Sequence, residues 1–156
     1  MIMKTPSFET QHDQKREERV AGFLESTWDV CCHKLPVSYG IDYWIESKDL
    51  EFWCEVKCRS FASDKYDTFI VSANKLNKGA AFANATSIPF VLVYAMTDGI
   101  WMHQWMPGYT YDIRMNLSPN PEYAEDNEPY VHIPIKHLTC LRDTPLGMDR
   151  DEIGLI

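Results

Sequence analysis

Residues 50–61, LEFWCEVKCRSF, set an acid and a base two positions apart inside a run that otherwise reads as a buried strand. Strand parity splits the run into two faces. Leu50, Phe52, Cys54, Val56 and Cys58 form a core side, while Glu51, Trp53, Glu55, Lys57 and Arg59 form the other. The preceding stretch YGIDYWIE (39–46) divides likewise, with Ile41, Tyr43 and Ile45 on one face and Asp42, Trp44 and Glu46 on the other. A two-residue loop at Lys48-Asp49 is among the commonest hairpin lengths. It pairs Ile41 with Val56, Tyr43 with Cys54, Ile45 with Phe52 and Trp44 with Trp53, and it sets Asp42 across from Glu55. Carboxylates so opposed have Cβ atoms roughly 4.5–5.5 Å apart and repel, so the pair needs compensation, from a divalent cation or from Lys57. The same register opposes Glu46 to Glu51 beside the turn, where water weakens the repulsion.

Working outward, DQKREERVAGFLESTW (13–28) predicts a first helix whose buried face carries Glu17, Val20, Ala21, Leu24 and Trp28, with Lys15, Arg16, Arg19 and Glu25 off it. WDVCCHKL (28–35) reads as a strand, SFASDKYDTF (60–69) as a polar loop, and Ser72 as the N-cap of a second helix, ANKLNKGAAFANAT (73–86). The small residues of that helix suit close packing on a sheet. IPFVLVYAM (88–96) predicts a strand buried on both faces, turned by TDG into IWMHQW (100–105). YTYDIRMNL (109–117) alternates apolar and polar residues, predicting one wet face; a Pro-rich acidic loop then leads to a strand at YVHIPI (130–135). The expected fold is α/β, with a mixed central sheet and an appended C-terminal β-ribbon on the same domain. One domain is expected over 1–156, with its core at about 13–105, the β extension at about 106–142 and a tail at 143–156.

Lys and Arg total 15 against 23 acids. The deficit is uneven: residues 1–78 hold 11 basic and 13 acidic side chains, a balance of −2, and residues 79–156 hold 4 and 10, a balance of −6. This disfavours non-specific nucleic-acid binding, whose affinity comes from cations displacing counterions. The N-terminal stretch MIMKTPSFETQHDQKREERV has no apolar core of signal-peptide length, and the longest apolar run, IPFVLVYAM, is far too short to span a bilayer. Five cysteines, an odd number, read as reduced thiols in a cytosol-like compartment.

Asp42, then Glu55-Val56-Lys57 on the next strand, preceded by a helix carrying Glu17, resembles the PD-(D/E)XK nuclease superfamily. The restriction-endonuclease-like αβββαβ core of that superfamily follows the element order above, and GID stands here in place of its Pro-Asp. The resemblance implies that Asp42, Glu55 and the Val56 carbonyl bind one or two Mg²⁺ or Mn²⁺ ions. It implies that Lys57 positions or activates the attacking water and that Glu17 completes the metal shell. These residue types suit the chemistry, because Mg²⁺ takes oxygen ligands and keeps several waters. The resulting expectation is a metal-dependent endonuclease hydrolysing DNA phosphodiester bonds. Its substrate is expected to be recognised by structure (branch, flap or end), as in the small Holliday-junction resolvases of the superfamily. A homodimer, a phage or mobile-element origin and a place in the host cytoplasm accompany that expectation.

Lys75, Lys78, Arg59 and Lys34 are candidate phosphate contacts. Trp44 and Trp53 suit either base stacking or a cross-strand pair that stabilises the hairpin. Cys54 and Cys58 lie about 13 Å apart along a strand, too far to share a zinc ion. Two other readings compete with the nuclease. One is a non-catalytic module of the same fold that uses its acidic surface for protein docking or DNA mimicry. The other is a structural oligomer subunit in which Asp42, Lys57 and Glu55 merely pair.

Overall fold

The computed structural model describes residues 11–117, 122 and 127–146. Helix α1 (Gln11–Trp28) buries Glu17, Val20, Ala21 and Leu24, the stripe expected from 3.6-residue periodicity. Arg16, expected off that stripe, is buried as well, and its guanidinium donates to the Arg59 carbonyl at 3.1 Å. Strands β1 (Cys31–Lys34), β2 (Tyr43–Glu46) and β3 (Glu51–Cys58) run as an antiparallel meander. Strand β4 (Thr68–Ser72) leads directly into helix α2 (Ala73–Thr86), and β5 (Phe90–Met96) returns parallel to β3. Strands β6 (Gly99–Gln104), β7 (Asp112–Asn116), β8 (Glu128–Pro134) and β9 (Thr139–Arg142) complete the order.

The strands form two sheets: a mixed six-stranded sheet, β1-β2-β3-β5-β6-β9, and a three-stranded one, β4-β8-β7. The hairpin register is the expected one: Tyr43 pairs with Cys54, Trp44 with Trp53, Ile45 with Phe52 and Glu46 with Glu51. Ser47 closes the turn, accepting the N–H groups of Asp49 and Leu50 on its Oγ at 3.3 and 3.0 Å. Glu46 and Glu51 find separate partners: the first meets His33 Nε2 at 3.1 Å, and the second accepts from Trp44 Nε1 at 3.0 Å.

Strand β2 is shorter than the alternation of 39–46 suggests. A 3-10 turn at Val37–Tyr39 and a left-handed Gly40 (φ 75°) redirect the chain just before Asp42. Ile41 therefore joins the cluster of Leu92 and Tyr94, on the face opposite Val56, and the expected Ile41–Val56 pair does not form. Residues 60–69 were expected to be loop throughout, yet Thr68 and Phe69 begin β4, whose partner β8 lies about sixty residues later. The C-terminal ribbon is present as β7–β8 and is extended by β4 into a sheet. All five residues of β7 are exposed, so both of its faces are wet rather than one. The acidic loop at 118–126, apart from Glu122, and the tail beyond 146 lie outside the described residues.

The central sheet carries a core on each face. Tyr43, Ile45, Phe52, Cys54 and Val56 pack with Val20 and Leu24 of α1. Phe90, Leu92, Tyr94 and Met96 pack with Leu76 of α2 and with Phe69, Val71, Val131 and Ile133 of the second sheet. Each such side chain, fully buried, contributes roughly 1.5–3 kcal/mol. Helix α2 lies so close to β5 that a Cβ on Gly79 would fall 2.2 Å from the Phe90 ring. The face bearing Glu55 and Lys57 is thus itself covered, contrary to the sequence reading of it as a side outside the core.

Candidate active site

Glu55 is 1% exposed. It stands on the covered face of β3, between the parity positions of Trp53 and Lys57, with Leu92 of β5 as its ladder partner. Its Oε1 lies 3.1 Å from Lys57 Nζ and 3.1 Å from Lys75 Nζ of α2. Its Oε2 is buried with no hydrogen-bond partner. Burial pushes the carboxyl above the usual carboxylate range; Lys57 pulls it back down, Asp42 pushes it further up, and Lys75 again lowers it.

Asp42 reaches the same place from the residue just before β2. Its N–H donates to the Cys54 carbonyl at 3.2 Å, and its Oδ2 accepts the Val56 N–H at 2.8 Å. The carboxylate is thereby pinned to the backbone unit immediately after Glu55. Its Oδ1 lies 3.5 Å from Lys34 Nζ, which also meets Glu17 Oε1 at 2.5 Å. Glu17 is 5% exposed and joins the constellation through Lys34. Three carboxylates, Glu17, Asp42 and Glu55, are thus matched by three ammonium groups, Lys34, Lys57 and Lys75.

Among the described residues, no group of three or more His, Cys, Asp or Glu side chains is arranged to hold a metal. Asp42, Glu55 and the Val56 carbonyl make a smaller, all-oxygen set. Mg²⁺ commonly binds through one or two carboxylates and fills its remaining positions with water and substrate phosphate. The orphaned Oε2 adds a buried acceptor whose unmet need a cation would satisfy, since such groups are costly to leave unpaired. The residues present therefore fit a hydrated divalent ion.

The candidate phosphate contacts sit in different places. Lys75 and Lys34 are drawn into the carboxylate pairs above. The Lys78 stem lies against Gly40, its Cδ 2.3 Å from where a Cβ there would stand. Arg59 Nη1 donates to the Cys58 carbonyl at 3.2 Å. The part Lys75 plays in the constellation escaped the sequence reading, although one signal was available: a cation in the first turn of a helix opposes the helix dipole and so calls for a local acid. Trp44 and Trp53 hold the expected register, but each ring has another partner. Trp44 stacks on His33 at 4.8 Å, and Trp53 tilts on Phe82 at 5.0 Å. Cys54 is buried, Cys32 and Cys58 are half-buried, and Cys31 is exposed. Burial pushes the Cys32 and Cys58 thiols up to about 12, which keeps them protonated at neutral pH.

A family model described as "Phage putative PDDEXK endonuclease" matches residues 3–141. No curated protein matches the chain. Among solved structures, the chain is similar to Hjc of Archaeoglobus fulgidus, a Holliday junction resolvase from an archaeal hyperthermophile. Identity is 10% over 81% of this chain and 86% of that one, with a TM-score of 0.49. No helix among the described residues is long and apolar enough to cross a membrane.

Proposed function

The chain belongs to this family of phage PD-(D/E)XK endonucleases, and on that premise we propose that it is a Mg²⁺- or Mn²⁺-dependent endonuclease cutting DNA phosphodiester bonds at the Asp42–Glu55 pair. The observation that carries this reading is Glu55 itself: a carboxylate 1% exposed, with Oε1 held by two lysines and Oε2 left without a partner. A purely structural ion pair would gain most by satisfying both oxygens.

A divalent cation bound there supplies Lewis-acid stabilisation of charge developing on the phosphate and acidifies a water. Asp42, anchored to the Val56 N–H, and Glu55, anchored by its lysines, hold two oxygens in place before any ion arrives. The Val56 carbonyl supplies a third. Lys57 carries a compact ammonium with three donors, suited to orienting the attacking water or a phosphate oxygen. Lys75 holds Glu55 from behind, and Lys34 couples Glu17 to Asp42. Three lysines of the site, Lys34, Lys57 and Lys75, are engaged by the protein's own acids, which leaves fewer cations to track a duplex backbone. Recognition by DNA structure fits that allocation better than recognition by sequence.

A second reading has its own support. The balance of three acids and three lysines is neutral without a metal, as expected of a non-catalytic member of the fold. Purified protein with Mn²⁺ on linear, nicked, flapped and four-way DNA separates the two, with Glu55→Gln as the control. Cutting by wild type alone supports the nuclease. Failure of the wild type to cut any of these substrates leaves the structural cluster.

A further inference from the structure

A cavity of about 360 Å³ opens between the two sheets, lined by Arg59, Phe61, Tyr66, Thr68, Tyr94 and His132 among others. Its size falls in the usual small-ligand range of roughly 300–1,000 Å³. We propose that it receives one unstacked nucleobase of the DNA substrate, close to the phosphate being cut; this assignment rests on the nuclease reading above.

Position is the first argument. In the parallel ladder of β3 and β5, Lys57 pairs with Tyr94, so the two side chains share a face and Tyr94, which lines the cavity, is the ladder neighbour of Lys57. Arg59 follows two residues later on the same parity, its N–H still bonded to the Ala95 carbonyl at 2.9 Å. Two residues of strand span about 7 Å, and successive nucleotides of one strand are spaced about 3.4 Å along the duplex axis. The cavity thus sits one or two nucleotides from the candidate site.

The lining is the second argument. Phe61 and Tyr66 meet edge to face at 5.2 Å, as do Phe69 and Tyr94 at 4.9 Å, which gives aromatic surfaces at the mouth and at the floor. The Tyr94 hydroxyl is held by the Ile70 carbonyl at 3.1 Å, which fixes that ring. Polar groups are few: the Arg59 guanidinium, and a Thr68 hydroxyl paired with His132 Nδ1 at 3.0 Å. A base presents the same combination, two apolar faces and a polar edge. Lys65 Nζ stands 5.2 Å from the Phe61 ring centroid and 5.4 Å from that of Tyr66, bringing a cation to the rim for a flanking phosphate.

Charge is the third argument. The chain carries a net charge of −8, and Lys34, Lys57 and Lys75 are engaged by carboxylates. Affinity for DNA must then draw on contacts that need no cation, and base–aromatic stacking is the main one. A base inside a duplex cannot reach such a cavity unless it is extruded. The favoured substrate class is therefore DNA with an unpaired nucleotide near the cut.

The test uses the full chain and flapped DNA in which a single abasic site is stepped through the nucleotides around the junction. Binding is measured without added metal, and cutting is measured separately with Mn²⁺. Wild type is expected to lose about tenfold or more in affinity at one position. Tyr66→Ala should bind intact DNA about tenfold more weakly and show no such step, and Tyr66→Phe should restore both. Tyr66 is 54% exposed, so its truncation spares the core. A flat scan from a protein that cuts DNA overturns the pocket and leaves the nuclease standing. A Tyr66-dependent step from a protein that never cuts keeps the pocket and removes the nuclease. A flat scan together with Tyr66-dependent binding of free deoxyadenosine monophosphate reassigns the cavity to a mononucleotide and also overturns the proposal.

Discussion

Lys75 of α2 places its ammonium 3.1 Å from Oε1 of Glu55 on β3, the oxygen that Lys57 also holds. The contact ties the second helix to the candidate site. It also explains a cation in the first turn of α2, where the helix dipole favours the opposite charge. If Lys75 holds Glu55 from outside the reaction, Lys75→Met should slow cutting by about 10–100-fold, the usual effect of removing a group that orients a ligand. Lys57→Met should cost more, about 10²–10⁴-fold, if that ammonium acts on the water or the phosphate. Equal losses in both variants, measured as single-turnover cleavage, would contradict the separation of roles.

The covered position of Glu55 changes what its substitution does to the fold. Removing Lys57, whose side chain is 20% exposed against 2% for Glu55, leaves a buried carboxylate with one cation fewer. Lys57→Met should therefore lower stability by about 1–3 kcal/mol. Glu55→Gln removes the buried charge and should be milder. Urea denaturation of both variants checks the order.

A divalent ion that binds only the native state stabilises it by about 2.7 kcal/mol at a hundredfold excess over its dissociation constant. For a chain of this size that is a rise of about 5–10 °C in Tm. Wild type should show it with Mg²⁺ or Mn²⁺, and the Asp42→Asn, Glu55→Gln double variant should not. A structural ion cluster gives the opposite result: no shift with metal, and a variant less stable than wild type because Lys34, Lys57 and Lys75 have lost partners.

The acidic balance and the engaged lysines together limit how many phosphates the protein neutralises. Its log-affinity should fall with log-salt at roughly −0.9 for each phosphate contacted, giving a total far shallower than the slope of about −10 of a repressor that contacts many phosphates. A steep slope in titrations on flapped DNA would expose a cationic surface that the described residues do not display.

Acid should destabilise the fold through His103. Its ring meets the His137 carbonyl at 3.3 Å and the Tyr111 hydroxyl at 2.9 Å, and burial lowers its pKa below the ordinary 6.5. The unfolded chain then binds the proton first, so this contribution to stability is present above about pH 6.5 and lost as pH falls toward the depressed value. Glu55, shifted upward, acts in the other direction: its share is present at low pH and lost as pH rises above the usual carboxylate range. His103→Gln isolates the first effect. Its stability should change less than that of wild type between pH 7.5 and 5.5 in chemical denaturation.

Side chains a few residues apart decide periodicity, and what depends on periodicity alone was legible in the chain. The stripe of Glu17, Val20, Ala21 and Leu24, the alternation along β3 and the two-residue turn at Lys48-Asp49 each follow from local stereochemistry. Together they were enough to set Tyr43 against Cys54; Asp42, one residue before β2, lies outside the ladder and binds the Val56 N–H next to Glu55. Three features required the tertiary structure. Strand β4 exists because β8, about sixty residues later, supplies its hydrogen-bond partners. Glu55 is buried because α2 and the second sheet cover a face that alternation alone marks as polar. Lys34 and Lys75 join the carboxylate cluster because β1 and α2 pack where their ammonium groups meet carboxylates from other elements. A period measures which residues share a face, whereas burial and pairing depend on what folds against that face, and distant segments decide that.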